Sequence, residues 1–212
     1  MSRGMVAFLF VRSGDAMLSV SVRTNIDAVN KSLSDVLKTQ MPFAIAKALT
    51  ATAKDTQAQL VAALPRQLDK PTPFTLRAFG VRPATKRSHK AVVYVKPDQW
   101  KYLRYQFDGG VRTPDKRALI VPQKLRLNKY GNMPRGAIKR LLAKQGYFSG
   151  TINGVPGIYQ RKGKVTQLVA AYADKVAYKK RYPFQEIGQR AVAKTFGKNF
   201  EAALQQALST RR

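Results

Sequence analysis

The chain has 212 residues, 44% of them hydrophobic and 24% charged, with 39 Lys plus Arg against 11 Asp plus Glu for a formal net charge of +28. That length and apolar content suit one large domain or two small ones with a hydrophobic core, and exclude a wholly disordered chain. With no Cys and a single His, disulfides, thiolate nucleophiles and thiolate or His-rich metal sites are excluded, so neither a metal nor a cofactor is expected.

Residues 1–25 read as an N-terminal extension, flexible rather than packed, with Met5 and Met17 as alternative starts. Their longest apolar run, Val6 to Val11, is too short for a bilayer span or a secretion signal, so no membrane partner is expected. Residues 26–212 read as a single domain. Its first element is a helix: Asn25 can cap it, and Ile26, Val29, Leu33, Val36 and Leu37 follow the three-and-four spacing of one helical face. Pro42 removes a backbone donor, which predicts a kink or a restart there. A second, Ala-rich helix carries Ile45, Leu49, Ala53, Leu60 and Leu64 and closes at Pro65. Small Ala side chains let helices approach closely, in a core or between subunits.

The middle of the chain reads as sheet with long basic loops. Alternation predicts strands over Phe74–Ala78 and Tyr102–Phe107, the latter ended by Asp108-Gly109-Gly110, and the β-branched and aromatic run Ala91–Val95 predicts another. Trp100 and Tyr102 suit a core or an interface equally. A short strand, Ala118 to Val121, stops at Pro122. The stretch Pro134–Gln145 is predicted to be helical, capped by Asn132 and stopped by Gly146. There Ile138, Leu141 and Leu142 face inward while Arg135, Lys139, Arg140 and Lys144 face out. Asn153-Gly154 predicts a tight hairpin. Gln167–Tyr172 is a further strand, paired with Val176–Tyr178. The closing helix repeats Val192, Phe196, Phe200, Leu204 and Leu208 every four residues. The expected fold is therefore α+β, with N-terminal helices and a C-terminal helix packed on a mostly antiparallel sheet.

The charge follows this plan. Residues 1–65 are net +3, residues 66–182 net +22 and residues 183–212 net +3, so two nearly balanced ends flank a basic middle. The densest loops are Lys86-Arg87-Ser88-His89-Lys90, Arg161-Lys162-Gly163-Lys164 and Lys179-Lys180-Arg181, with Tyr159, Tyr178 and Tyr182 close by in sequence. Five acids across residues 66–182 are too few to offset that excess, which points to a polyanion or an acidic protein surface as partner. The candidate contacts are Arg135, Lys139, Arg140, Lys144, Arg161, Lys162, Lys164, Lys179, Lys180 and Arg181. No zinc finger, basic zipper or RNP-type strand marks a sequence-specific reader.

No catalytic signature accompanies the charge, and no enzyme activity is expected. Gly residues fall in turns rather than in a phosphate-binding loop. His89 reads as a solvated loop residue among cations. Asp98, Asp108 and Asp115 are the only acidic cluster and suit turns and caps better than a nuclease centre.

Several stretches carry a resemblance. They are Met41-Pro42-Phe43-Ala44-Ile45-Ala46-Lys47-Ala48-Leu49, then Asn128-Lys129-Tyr130-Gly131-Asn132-Met133-Pro134-Arg135, then Phe148-Ser149-Gly150-Thr151 with Gly154-Val155-Pro156-Gly157-Ile158-Tyr159-Gln160-Arg161. Tyr182-Pro183-Phe184, leading into the Phe196/Phe200 helix, completes the set. Over roughly residues 26–208 the chain resembles phage tail-completion and minor tail proteins, the protein Z family of long-tailed phages. The resemblance implies a non-enzymatic virion protein at the neck, made in the host cytoplasm. It further implies a homo-oligomeric ring, commonly sixfold, around the DNA channel, with the portal or connector and the tail tube or tail terminator as neighbours. Genomic DNA would pass through the channel. About 30 Å of duplex supplies only about 18 phosphate charges, far fewer than six such chains carry, so acidic protein or salt must offset the rest. The rival reading is a stand-alone, sequence-independent nucleic-acid-binding protein.

Overall fold

The computed structural model describes residues 7–12, 19–24, 35–114 and 118–209, with side chains from residue 40 onward. The helical run from Asn25 through Leu33 and the acid Asp115 lie outside these residues. Helices at both ends and antiparallel sheets make the fold α+β. The expected single domain over 26–212 divides into two compact units, Met1–Phe107 with Tyr182–Arg212, and Asp108–Arg181.

In the larger unit, helix α1 spans Asp35–Gln67 without restarting at Pro42 or ending at Pro65. A proline inside a helix costs about 3 kcal/mol, whereas each fully buried Leu or Ile contributes about 1.5–3 kcal/mol. Ile45, Leu49, Leu60 and Leu64 are each at most 1% exposed, so packing of that face outweighs the lost hydrogen bond. The C-terminal helix, α5 (Phe184–Ser209), lies against α1. Ala44 and Ala48 meet Ala203 and Ala207 there, so the small residues serve packing within the chain. The every-four row of α5 drifts off the buried face, as 3.6 residues per turn requires: Val192 and Phe196 are buried, but Leu208 is exposed while Ala207 is buried.

Beneath α1 runs an antiparallel sheet of order β1-β2-β4-β3, made of Ala7–Arg12, Ser19–Thr24, Phe79–Arg82 (β3) and Lys90–Val95 (β4). Two of its strands thus come from the segment read as an extension. Strand β4 matches expectation, with Ala91, Val93 and Val95 buried at alternate positions. The other two expected strands are helices. Pro73–Leu76 is the short helix α2, started by the Thr72 hydroxyl, which accepts the Thr75 N–H at 3.1 Å. Pro97–Phe107 is helix α3. Leu103 and Phe107 are four apart, a spacing that satisfies a strand face and a helix face alike. Gln99 joins them on the buried side and donates from Nε2 to the Phe74 carbonyl at 3.1 Å.

The core of this unit is aromatic. Phe107 lies with its ring centroid 5.3 Å from that of Tyr182 and 5.5 Å from that of Phe184. Phe79 packs on the same pair. Trp100 and Tyr102 rest against this cluster rather than serving as free anchors.

The smaller unit is an antiparallel sheet of order β6-β9-β8-β7, from Leu119–Pro122, Tyr147–Ile152 (β7), Val155–Lys162 (β8) and Val165–Ala173 (β9). The β7–β8 hairpin turns at Asn153 (φ +52°) and Gly154 (φ +77°), the positive pair a two-residue turn requires. Strand β10 (Val176–Tyr178) pairs with β5 (Gly110–Arg112) in a separate ribbon, not with β9 as expected. Among the described residues, the large hydrophobic side chains buried in this unit are few: Ile158, Tyr159 and Val169, with Ala170 beside them.

Candidate polyanion interface

All ten cations expected to meet a partner lie in or at the end of the smaller unit, and all are exposed. This unit carries 17 basic and 3 acidic side chains in 74 residues, net +14. Among the described residues its cations form no ion pair. The ion pairs seen, Lys101 with Asp98 at 2.8 Å and Arg190 with Glu186 at 3.2 Å, belong to the larger unit.

The helix expected to carry four of these cations is shorter and carries two of them, Lys139 and Arg140, with Arg135 before it and Lys144 after it. Helix α4 covers only Ala137–Leu142, starts at Gly136 with φ +72° rather than at an Asn132 cap, and buries no residue. Of the three side chains expected to face inward, Leu142 is exposed and Ile138 and Leu141 are no more than partly covered. The chain then turns through Gly146 (φ +83°), whose carbonyl accepts the Arg161 N–H at 2.7 Å. That bond joins the turn after the helical segment to strand β8. The Arg161 guanidinium lies 5.4 Å from the Phe148 ring centroid, a cation–π contact that keeps the charge exposed but orders the side chain.

A cleft of about 450 Å³ opens against this segment. Arg140 and Lys144 form one side. Lys124 and Arg126, which follow β6, also line it. The backbone N–H groups of Gln123 and Lys124 both donate to the Val169 carbonyl, at 2.9 and 3.1 Å, which fixes that side to β9. Leu125, Leu141 and Val169 supply an apolar floor, and Tyr147 and Gln160, partners across the β7–β8 ladder, complete the lining. Four cations and no acid therefore converge on one concavity. Neighbouring positive charges without counterions raise the local potential, and a concave, partly apolar wall strengthens it by excluding water.

Lys124 and Arg126 were not among the expected contacts. They sit in no charge run, and only the β6–β9 pairing brings them to residues 140–144. The remaining expected cations are placed elsewhere. Lys162 and Lys164 flank the β8–β9 turn at Gly163. Lys179, Lys180 and Arg181 follow the β5–β10 ribbon, where the backbone of Lys179 and Lys180 passes Gly109.

Two of the three tyrosines near the basic loops are core residues, not contacts. Tyr182 is fully buried, donates its hydroxyl to the Leu60 carbonyl, and has its pKa pushed well up by desolvation. Tyr159 donates to the Val155 carbonyl at 2.6 Å. His89 differs from the solvated reading, because its Nε2 is screened from solvent with no hydrogen-bond partner among the described residues. Asp98 sits in the first turn of α3, paired with Lys101, rather than at a strand end. Among the described residues no group of three or more His, Asp or Glu could hold a metal, and no helix is long and apolar enough to cross a membrane.

No protein-family model, curated protein or solved structure matches the chain significantly.

Proposed function

We propose that the chain is a non-enzymatic structural protein of a phage virion, completing the tail or neck and joining it to the head connector as a ring around the DNA channel. One observation carries this reading. Cations are packed most densely on one thinly cored unit, where none forms an ion pair among the described residues, while the larger hydrophobic core is on the other. A surface of that kind keeps its charge for a partner, and the cored unit provides a scaffold to hold it in an assembly. The partners are further copies of the chain, the portal or connector, the tail tube or tail terminator, and genomic DNA. The resemblance to tail-completion proteins, spread over roughly residues 26–208, supports this reading.

The test is the solution mass of the purified chain across a salt series, with and without short duplex DNA and neck components. The adaptor reading predicts a discrete ring, or a monomer that assembles only with neck components. A monomer that coats DNA at low salt and releases it at high salt overturns it in favour of a stand-alone nucleic-acid-binding protein.

A further inference from the structure

We propose that the cleft of the smaller unit takes an unpaired nucleotide of a nucleic-acid strand. Its phosphates would sit on Lys124, Arg126, Arg140 and Lys144, and its base against Tyr147 and Gln160. The inference rests on reading this unit as the side that faces a polyanion, and adds which form of polyanion it takes.

A flat array of cations accepts any polyanion. This array is not flat: two segments of chain bring two cations each to one concavity of about 450 Å³. That volume falls within the range of small-ligand sites, about 300–1,000 Å³. A duplex offers its phosphates on a broad convex surface and keeps its bases stacked inside, so it can rest on the rim but offers nothing to the floor. The floor is aliphatic and the half-buried Tyr147 ring stands beside it, which suits the exposed face of an unpaired base. A cationic groove with an aromatic platform is the usual arrangement for single strands. Gln160 adds a donor and an acceptor for a base edge, and among the described residues its amide makes no side-chain hydrogen bond. Backbone bonds to Val169 and Gly146 hold both sides before any ligand arrives, so little ordering is required on binding.

The experiment is an anisotropy titration of the full chain with a labelled twelve-nucleotide thymidylate strand and with a labelled duplex of equal length. Thymidine monophosphate serves as a competitor. Arg140→Ala/Lys144→Ala removes two exposed cations of the cleft, and Tyr147→Leu removes the platform while keeping an apolar side chain. Lys194→Ala/Lys198→Ala removes two exposed cations of α5 as a matched control, and circular dichroism confirms that each variant folds. We expect strand affinity to fall about tenfold or more with the cleft pair, and its salt dependence to become shallower, because fewer phosphates are neutralised. It falls about fivefold or more with Tyr147→Leu, as loss of one base stack implies. The control, which leaves the cleft's own residues intact, changes strand affinity less than about twofold.

Equal losses for strand and duplex, or a silent Tyr147→Leu, overturn the inference and leave the polyanion-facing reading standing. Competition by the mononucleotide at the strand's own affinity, counted per nucleotide, overturns it in favour of a free nucleotide. Failure to bind nucleic acid in any form overturns both.

Discussion

The two units of the chain carry the same net charge, +14, but one spreads it over 138 residues and the other over 74. The larger unit buries a continuous cluster of aromatic and aliphatic side chains that ties α1, α3, α5 and two strands together. The smaller unit has a single four-stranded sheet, a two-stranded ribbon and few buried large side chains. Burial drives folding, and like charges without counterions oppose it. The contrast separates burial from dense charge along this chain: the larger unit holds most of the core, and the smaller carries charge at the higher density, as the proposed division between scaffold and partner-facing surface requires.

The change expected to strain that contrast most is Phe107→Ala. Its ring touches Trp100, Tyr182 and Phe184, so the cavity should cost about 3–5 kcal/mol, read as a large drop in thermal midpoint or denaturant midpoint. A small effect would mean that the larger unit does not depend on its core. In the smaller unit, Gly157→Ala is the matching test. A Cβ there would lie 2.5 Å from the Ala170 carbonyl oxygen, across the β8–β9 ladder. Overpacking should cost about 1–3 kcal/mol, seen as faster hydrogen exchange in β8 and β9. A loss as large as that of Phe107→Ala would break the comparison.

Tyr182→Phe sharpens it through pH. At neutral pH the loss of one buried hydrogen bond should cost about 1 kcal/mol. Burial raises the phenol above its ordinary value of 10.0, so the folded state favours the protonated form. The stability linked to it is complete below pH 10 and falls as pH rises beyond that value, because the unfolded chain ionises first. Burial pushes Tyr102 the same way, with its bond to the Thr75 hydroxyl pulling down. Denaturation followed from pH 8 upward should therefore be flatter in the Phe variant, and an unchanged slope would contradict the account. The smallest effect belongs to Lys162→Glu, on the exposed basic hairpin. It should shift stability by no more than about 0.5 kcal/mol, toward greater stability at low salt, and lose even that at high salt.

Much of the fold was legible in residue patterns. The long terminal helices follow from their apolar spacing, and the β7–β8 hairpin from Asn153-Gly154, whose positive φ values few other pairs accept. The residues of α3 misled because Leu103 and Phe107 fit two periods. The decisive signals lay upstream, in Pro97 and Asp98 at a helix start, as Thr72 and Pro73 were for α2. The charged surface was legible as a set of local runs, which include Arg140 and Lys144 of the cleft. Lys124 and Arg126 were not, because their place in the cleft depends on strand pairing over more than forty residues. Tyr159 and Tyr182 stand near basic runs in sequence but point into the protein, which linear proximity cannot distinguish.

The measurement that tests the separation of roles most directly is hydrogen exchange across the full chain at low salt, with and without DNA carrying single-stranded ends. New protection is expected within residues 108–181, centred on the segments around Lys124–Arg126 and Arg140–Tyr147, with the core helices α1 and α5 unchanged. Protection centred on α1 or α5, or no change within residues 108–181 while DNA is bound, would contradict it.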